Sequence, residues 1–299
     1  MTNLPAGVIA AVPTPVTAGG KPDVERFLNH CNWALENGCD GLNVLGSTGE
    51  ASSFGIADRR TIMDAAAANL DKSKLMVGTG FTDAASTVEM TRYAAELGFG
   101  VALVLPPYYY KPVTDAGIFN YFANLCEATK STPIPLFLYN YPAMTGVPFS
   151  PEVVARMSNE LDGRVCGIKD SSANIPYCKS LVEALPGFSV FPSSETCLET
   201  AAADGFAGCI SATTNLTGPA AGKVWNNAAY EGRDDDVKFI AEMRGGIAAQ
   251  PLIPAVKFLV SQQQNKDPDW ARALPPFAPL NDEQSTALLT VADALAGWS

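Results

Sequence analysis

Histidine occurs only once in these 299 residues, as His30. A Ser-His-Asp triad elsewhere in the chain and a multi-His zinc site are thereby removed from consideration. His30 itself lies in Phe27-Leu28-Asn29-His30-Cys31-Asn32-Trp33, an amphipathic-helix pattern in which a lone imidazole reads as a packing or surface group. The seven cysteines, Cys31, Cys39, Cys126, Cys166, Cys178, Cys197 and Cys209, are scattered and never spaced as C-x-x-C. They read as small core residues in a reducing compartment, not as a disulfide framework or a metal knuckle. No window approaches the roughly 18 consecutive apolar residues that cross a bilayer. The start, Met1-Thr2-Asn3-Leu4-Pro5, has neither a basic flank nor a long apolar stretch, so no signal peptide is expected. Basic residues are outnumbered, 20 against 31 acidic, for a net charge of −11. With no basic patch to release counterions, neither nucleic acid nor an anionic membrane is an expected partner. A small anionic substrate remains open, because oriented backbone N–H groups bind a carboxylate without net positive charge. The expectation is a soluble, cytoplasmic protein whose chemistry rests on Lys, Tyr, Ser, Thr or carboxylates.

What the chain has in quantity is apolar residues, 47% against 17% charged, enough for a large buried core. They fall in eight short runs rich in Val, Ile and Leu, at residues 7–12, 41–45, 75–79, 101–105, 136–139, 165–168, 188–191 and 208–211. The spacing is that of one strand, one helix and two loops, repeated. Helix signals lie between them. Pro22-Asp23 with Glu25 opens the first, Thr114-Asp115 another, and Ser150-Pro151-Glu152 places Pro in a first turn. Gly98 closes the segment before the fourth run. Nearly continuous apolar strands, covered on both faces, indicate a parallel α/β sheet. Eight such units predict a closed (β/α)8 barrel, a TIM barrel, over residues 1–224, with a doubly wound open sheet as the competing arrangement. Residues 225–299 show no strand signal. Helical patterns at 237–243, 254–263 and 282–296, broken by a loop at 268–279, predict a C-terminal helical appendage.

In such a barrel the chemistry sits at the C-terminal ends of the strands. Of 11 lysines, Lys169 follows the buried run Val165-Cys166-Gly167-Ile168, so its amine is expected in the barrel mouth. Partial desolvation lowers an amine's pKa and makes it a nucleophile toward ketones. A strand-end lysine that reaches solvent or pairs with Asp170 is the competing reading. Lys257, the comparable rival, lies on a predicted helix of the appendage, where a structural ion pair is favoured. Gly46-Ser47-Thr48-Gly49-Glu50 offers hydroxyls and backbone N–H groups between glycines, suited to a carboxylate but also to a plain helix-capping turn. Tyr139 ends an apolar strand and suits proton transfer, although a lone tyrosine at a strand end is more often a hydrogen-bonded core residue. Tyr108-Tyr109-Tyr110 reads as interface aromatics as readily as anything else.

Four motifs in order, Gly46-Ser47-Thr48-Gly49-Glu50, Pro107-Tyr108-Tyr109, Tyr139-Asn140-Tyr141-Pro142 and Gly167-Ile168-Lys169-Asp170, give the chain a resemblance over nearly its whole length. It resembles the dihydrodipicolinate synthase and N-acetylneuraminate lyase superfamily, the pyruvate-dependent class I aldolases. By that resemblance Lys169 is the Schiff-base lysine and Tyr139 the proton-shuttling phenol. Ser47, Thr48 and Gly49 hold the keto-acid carboxylate, and the backbone carbonyl of Ile210 faces the keto acid. Tyr109 enters a neighbouring subunit's site to complete a relay with Ser47 and Tyr139, which implies a homotetramer built as a dimer of dimers. The substrates implied are pyruvate and an aldehyde, with no metal or organic cofactor required.

The member of the superfamily is narrowed by departures from its patterns. Dihydrodipicolinate synthases carry an arginine in Tyr-Asn-x-Pro-x-Arg-Thr-Gly; here Met144 occupies that place. A thioether does not replace a guanidinium, and losing such a charge-assisted pair costs roughly 1.5–3 kcal/mol. Sialic acid lyases have an acidic pair after strand seven, whereas Ser193-Ser194-Glu195-Thr196 offers one acid. The motifs look most like those of 2-keto-3-deoxy sugar acid aldolases, with Ser171, Ser193, Glu195 and Ser211 facing a polyhydroxylated aldehyde. A dehydratase of such acids, a sialic acid lyase-like enzyme, a dihydrodipicolinate synthase and a keto-acid-binding regulatory protein remain alternatives.

Overall fold

The eight apolar runs are eight parallel strands in the computed structural model, which describes residues 4–298. They are β1 (Gly7–Ala11), β2 (Gly41–Val44), β3 (Leu75–Gly78), β4 (Val101–Val104), β5 (Leu136–Asn140), β6 (Val165–Asp170), β7 (Ser189–Pro192) and β8 (Gly208–Ser211). Their order is β7-β6-β5-β4-β3-β2-β1-β8. Ala207 donates its N–H to the Val190 carbonyl at 3.0 Å, joining the two ends. The result is the expected (β/α)8 barrel. β5 and β6 run further than the apolar pattern, through Asn140 and Asp170, because their polar ends still pair in register: Tyr139 with Lys169 and Asn140 with Asp170.

Alternation explains why the strands read as continuously apolar. One set of side chains, including Ile9, Met76, Val101, Leu103, Phe137 and Phe191, fills the barrel interior. The other set, including Val8, Leu42, Val44, Val77 and Leu138, packs under the surrounding helices. The interior is a fitted core. Gly167 stands opposite Phe137, and a Cβ on it would come within 2.6 Å of the Phe137 ring, so only glycine leaves room there. Phe137 in turn meets Phe191 with ring centroids 5.8 Å apart.

The helix signals hold locally. Asp23, Thr114 and Ser150 each accept a backbone N–H in the first turn that follows, and Gly98 ends its helix at φ 87°. Short helices at Pro142–Thr145 and Ala201–Asp204 and 3-10 turns at Ala51–Ser53 and Glu195–Glu199 were not legible, being too short to show a period. In the C-terminal region, helices Arg233–Ala248, Leu252–Gln263 and Asp282–Gly297 bury Ile247, Val256, Leu259, Trp270 and Leu288 against Leu216 of the last barrel helix. The layer is thus continuous with the barrel.

His30 is the packing residue the sequence suggested. Its Nε2 lies 2.9 Å from Asn215 Oδ1, and its ring meets Trp33 and Trp270 with centroids 5.9 and 5.2 Å away. Asn215 Nδ2 donates to the Ala11 and Ala212 carbonyls, which fixes Oδ1 toward the imidazole and assigns the proton to Nε2. Burial pushes the pKa down from 6.5 to about 4, with the Asn215 bond opposing. The folded value lies below the unfolded one, so between them the unfolded chain binds the extra proton and stability falls as pH falls. Relative to a His30→Gln variant, the protein is expected to lose about 3 kcal/mol between pH 7 and pH 4. Urea midpoints across that range check it; parallel pH profiles for the two proteins would contradict it.

Candidate active site at the barrel mouth

Lys169 points inward from β6, because its register partner Tyr139 belongs to the interior set. Both are almost fully buried, at 4% and 3% exposure. Lys169 Nζ lies 3.4 Å from the Tyr139 hydroxyl and 4.5 Å from the centre of its ring. The Tyr139 hydroxyl is in turn 3.2 Å from Ser47 Oγ. A desolvated amine, a phenol and a serine therefore form one contiguous chain at the top of the barrel. Asp170, one residue on, alternates to the other face. There it accepts from Asn140 Nδ2 at 2.6 Å and from Ser172 Oγ at 2.7 Å, so no pairing of Lys169 with Asp170 is seen.

The loop after β2 presents the second half of the site. Glu50 N–H donates to the Ser47 carbonyl at 3.0 Å, and Thr14 Oγ1 donates to the Gly49 carbonyl at 2.9 Å. The backbone N–H groups of Ser47, Thr48 and Gly49 find no acceptor among the described residues. Such a row of unspent donors beside a hydroxyl is chemically suited to an anion. Gly46 lies over the Asn43 amide so closely that a Cβ would sit 2.5 Å from Nδ2, which explains the glycine at this position. A cavity of about 20 Å³ lies between Gly46, Ser47, Gly78, Leu103 and Tyr139. A larger cavity of about 490 Å³ lies elsewhere, under the C-terminal layer between Trp33, Phe239 and Trp298, and contains none of these groups.

A second polar cluster borders the mouth and was only half visible in the sequence. Glu195 is buried at 1% exposure. It accepts from Ser211 Oγ at 2.6 Å, Thr213 Oγ1 at 2.5 Å, Thr217 Oγ1 at 2.8 Å and Arg244 Nη1 at 3.1 Å. Arg244 Nη1 also reaches Ser211 Oγ at 3.1 Å and Thr213 Oγ1 at 2.9 Å. Glu195 and Ser211 are thus bound within the protein rather than free in the mouth, and the group they hold outward is a guanidinium. The rest of that guanidinium has no acceptor among the described residues. Arg244 comes from the helix Arg233–Ala248, where nothing in the local pattern separates it from a surface arginine. Tyr141 adjoins this cluster, stacking on Tyr139 with centroids 5.8 Å apart. Burial raises its pKa, the neighbouring Tyr139 adds to the rise, and Arg244 opposes it.

Ile210 is fully buried on β8 beside Ile9, among the interior residues. Ser171 and Ser193 are half-buried at the ends of β6 and β7, their N–H groups donating to the Asn140 and Asp170 carbonyls at 2.7 and 2.8 Å. Met144 projects from the helix Pro142–Thr145 at 65% exposure. Tyr109 and Tyr110 are 73% and 80% exposed and meet edge to face at 5.2 Å. Among the described residues no three His, Cys, Asp or Glu side chains gather as a metal-binding group. No helix among them is long and apolar enough to cross a membrane.

A family model, that of the Dihydrodipicolinate synthetase family, matches residues 4–295. The chain belongs to that family. It is accordingly an enzyme, a carbon–carbon lyase of the pyruvate-dependent class, as its motifs implied. An uncharacterized DapA-like lyase of Chloroflexus aurantiacus is 30% identical over 297 residues, 95% of each chain. YagE of Escherichia coli K12, provisionally named a 2-dehydro-3-deoxy-D-gluconate aldolase, is 28% identical over 302 residues, 97% of this chain and 96% of its own. Its crystal structure in complex with pyruvate matches with a TM-score of 0.87, at 26% identity, over 97% of this chain and 98% of that one. Dihydrodipicolinate synthase from Agrobacterium tumefaciens matches with a TM-score of 0.88, at 28% identity, over 97% and 99%. Sugar-acid aldolases and dihydrodipicolinate synthases thus share this family's barrel, and the residues around Lys169 must separate them.

Proposed function

We propose that this enzyme makes and breaks the carbon–carbon bond between pyruvate and an aldehyde in 2-keto-3-deoxy sugar acids, through a Schiff base on Lys169. The observation that carries the reading is the buried chain from Lys169 Nζ through the Tyr139 hydroxyl to Ser47 Oγ, with links of 3.4 and 3.2 Å. The neutral amine attacks the ketone carbon of pyruvate, and water leaves to give an iminium ion. The iminium draws electrons from the adjacent methyl carbon, which loses a proton and becomes an enamine. Addition of the enamine to an aldehyde forms the new bond, with Tyr139 giving its proton to the nascent alkoxide. Water then releases the product and restores the amine; cleavage runs these steps in reverse. The free N–H groups of Ser47, Thr48 and Gly49 suit the carboxylate, and YagE's complex with pyruvate supports the same donor here.

The acceptor side favours a sugar-derived aldehyde over the synthase substrate. Met144 supplies no cation where the synthases have arginine. Arg244, held by Glu195, presents donors to an oxygen-rich chain, and Ser171 and Ser193 add half-buried hydroxyls at neighbouring strand ends. Exposed Tyr109 and Tyr110 support a homotetramer in which Tyr109 completes the relay of another subunit. Incubation with pyruvate and borohydride is expected to leave one pyruvyl adduct per chain, mapped to Lys169. Incubation with 2-keto-3-deoxygluconate is expected to release pyruvate. No adduct would remove pyruvate as the donor, whereas an adduct without pyruvate release but with loss of water from the sugar acid would make the enzyme a dehydratase.

A further inference from the structure

Glu50 and Lys257 are both fully buried, and the carboxylate Oε2 is paired with Lys257 Nζ. The pair joins two parts of the chain that are 207 residues apart: the end of the Ser47-containing loop and the helix Leu252–Gln263. Glu50 Oε1 accepts the Leu274 N–H at 2.6 Å, so both oxygens are held by the C-terminal layer. A further tie runs from Ser53 Oγ to the Pro275 carbonyl at 2.8 Å.

Stability alone does not account for such a pair. Burial pushes the Lys257 ammonium down while Glu50 pulls it back, and a buried ion pair is commonly replaced by apolar groups without loss of stability. What the pair does hold is a backbone conformation. Glu50 has φ 54°, the left-handed region that glutamate seldom adopts, and its N–H closes the turn on the Ser47 carbonyl at 3.0 Å. A shift of Glu50 therefore moves the N–H groups of Ser47 and Thr48, and with them the Ser47 hydroxyl that faces Tyr139.

We infer that the Glu50–Lys257 pair positions the Ser47-Thr48 turn for the carboxylate of the keto acid, which makes the C-terminal helical layer a working part of the donor site. This rests on the Schiff-base reading above. Glu50 and Lys257 are positioning residues that touch no substrate.

The test is borohydride trapping of the full-length protein over a range of pyruvate concentrations, read by intact mass, together with melting temperatures. Lys257→Met is expected to raise the half-saturating pyruvate concentration on the order of 10- to 100-fold, since a misplacement of about 1 Å in a positioned group can cost about 10²-fold. The rate at saturation should change less. The single variant leaves Glu50 buried without its cation and is expected to melt lower. The double variant Glu50→Gln with Lys257→Met removes both charges and keeps an acceptor for the Leu274 N–H. It is expected to regain melting temperature while its half-saturating concentration stays high. A folded double variant that saturates at the wild-type concentration would overturn the inference and leave the pair a stabilising element only. If the unaltered protein forms no adduct, it is the Schiff-base reading that fails.

Discussion

Lys169→Met is expected to eliminate the pyruvyl adduct and to lower turnover on the order of 10⁴-fold or more, since no other group takes the place of a covalent nucleophile. The adduct should not move to Lys257, whose amine is fully buried against Glu50. The same variant carries an opposite expectation for stability. The only side-chain hydrogen bond of Lys169 among the described residues is to Tyr139, and no carboxylate faces it, so the folded protein bears an ammonium or amine in a desolvated site. Methionine keeps the unbranched stem without the polar head, and the melting temperature should hold or rise. Loss of activity with no gain or retention of stability would mean that Lys169 supports the barrel mouth rather than working in it. Intact-mass trapping and a thermal melt on one preparation separate the two.

Tyr139→Phe carries the second largest effect. The substitution keeps the ring that stacks on Tyr141 and lines the barrel, and removes only the hydroxyl between Lys169 and Ser47. Proton transfer by a positioned side chain contributes about 10²- to 10⁴-fold, and turnover is expected to fall within that range. The pyruvyl adduct should still form, more slowly, because the nucleophile and the carboxylate cradle are intact. Single-turnover trapping checks this order of effects. An adduct that forms at the unaltered rate, with aldol cleavage alone slowed, would confine Tyr139 to the acceptor step.

The barrel and the placement of Lys169 and Tyr139 at its strand ends were legible because their signals are local. Strands covered on both faces are apolar throughout, so a lysine or tyrosine at the end of such a run has few explanations, and Lys169 and Tyr139 stood out for that reason. The loop after β2 showed its hydroxyls and glycines in the sequence. Its geometry was not legible, since the left-handed Glu50 is held by Lys257 and Leu274 from across the chain. Arg244 escaped altogether. Its place beside Glu195 depends on how the late helix Arg233–Ala248 packs against the last barrel helix and the turn Glu195–Glu199, and no periodicity encodes that. Glu195 was legible as a residue but its saturated surroundings were not, because its four donors come from β8, the turn and helix that follow it, and Arg244.

That saturated carboxylate bears on how the enzyme's substrate range can change. A residue whose hydrogen-bonding capacity is fully committed cannot be altered alone without stranding its partners, so positions 195, 211, 213, 217 and 244 form a group that drifts together or not at all. Met144, largely exposed on a four-residue helix, is under no such constraint. On the proposed aldolase reading, a change of acceptor preference is expected to need fewer coupled substitutions around Met144 than in the Glu195 cluster.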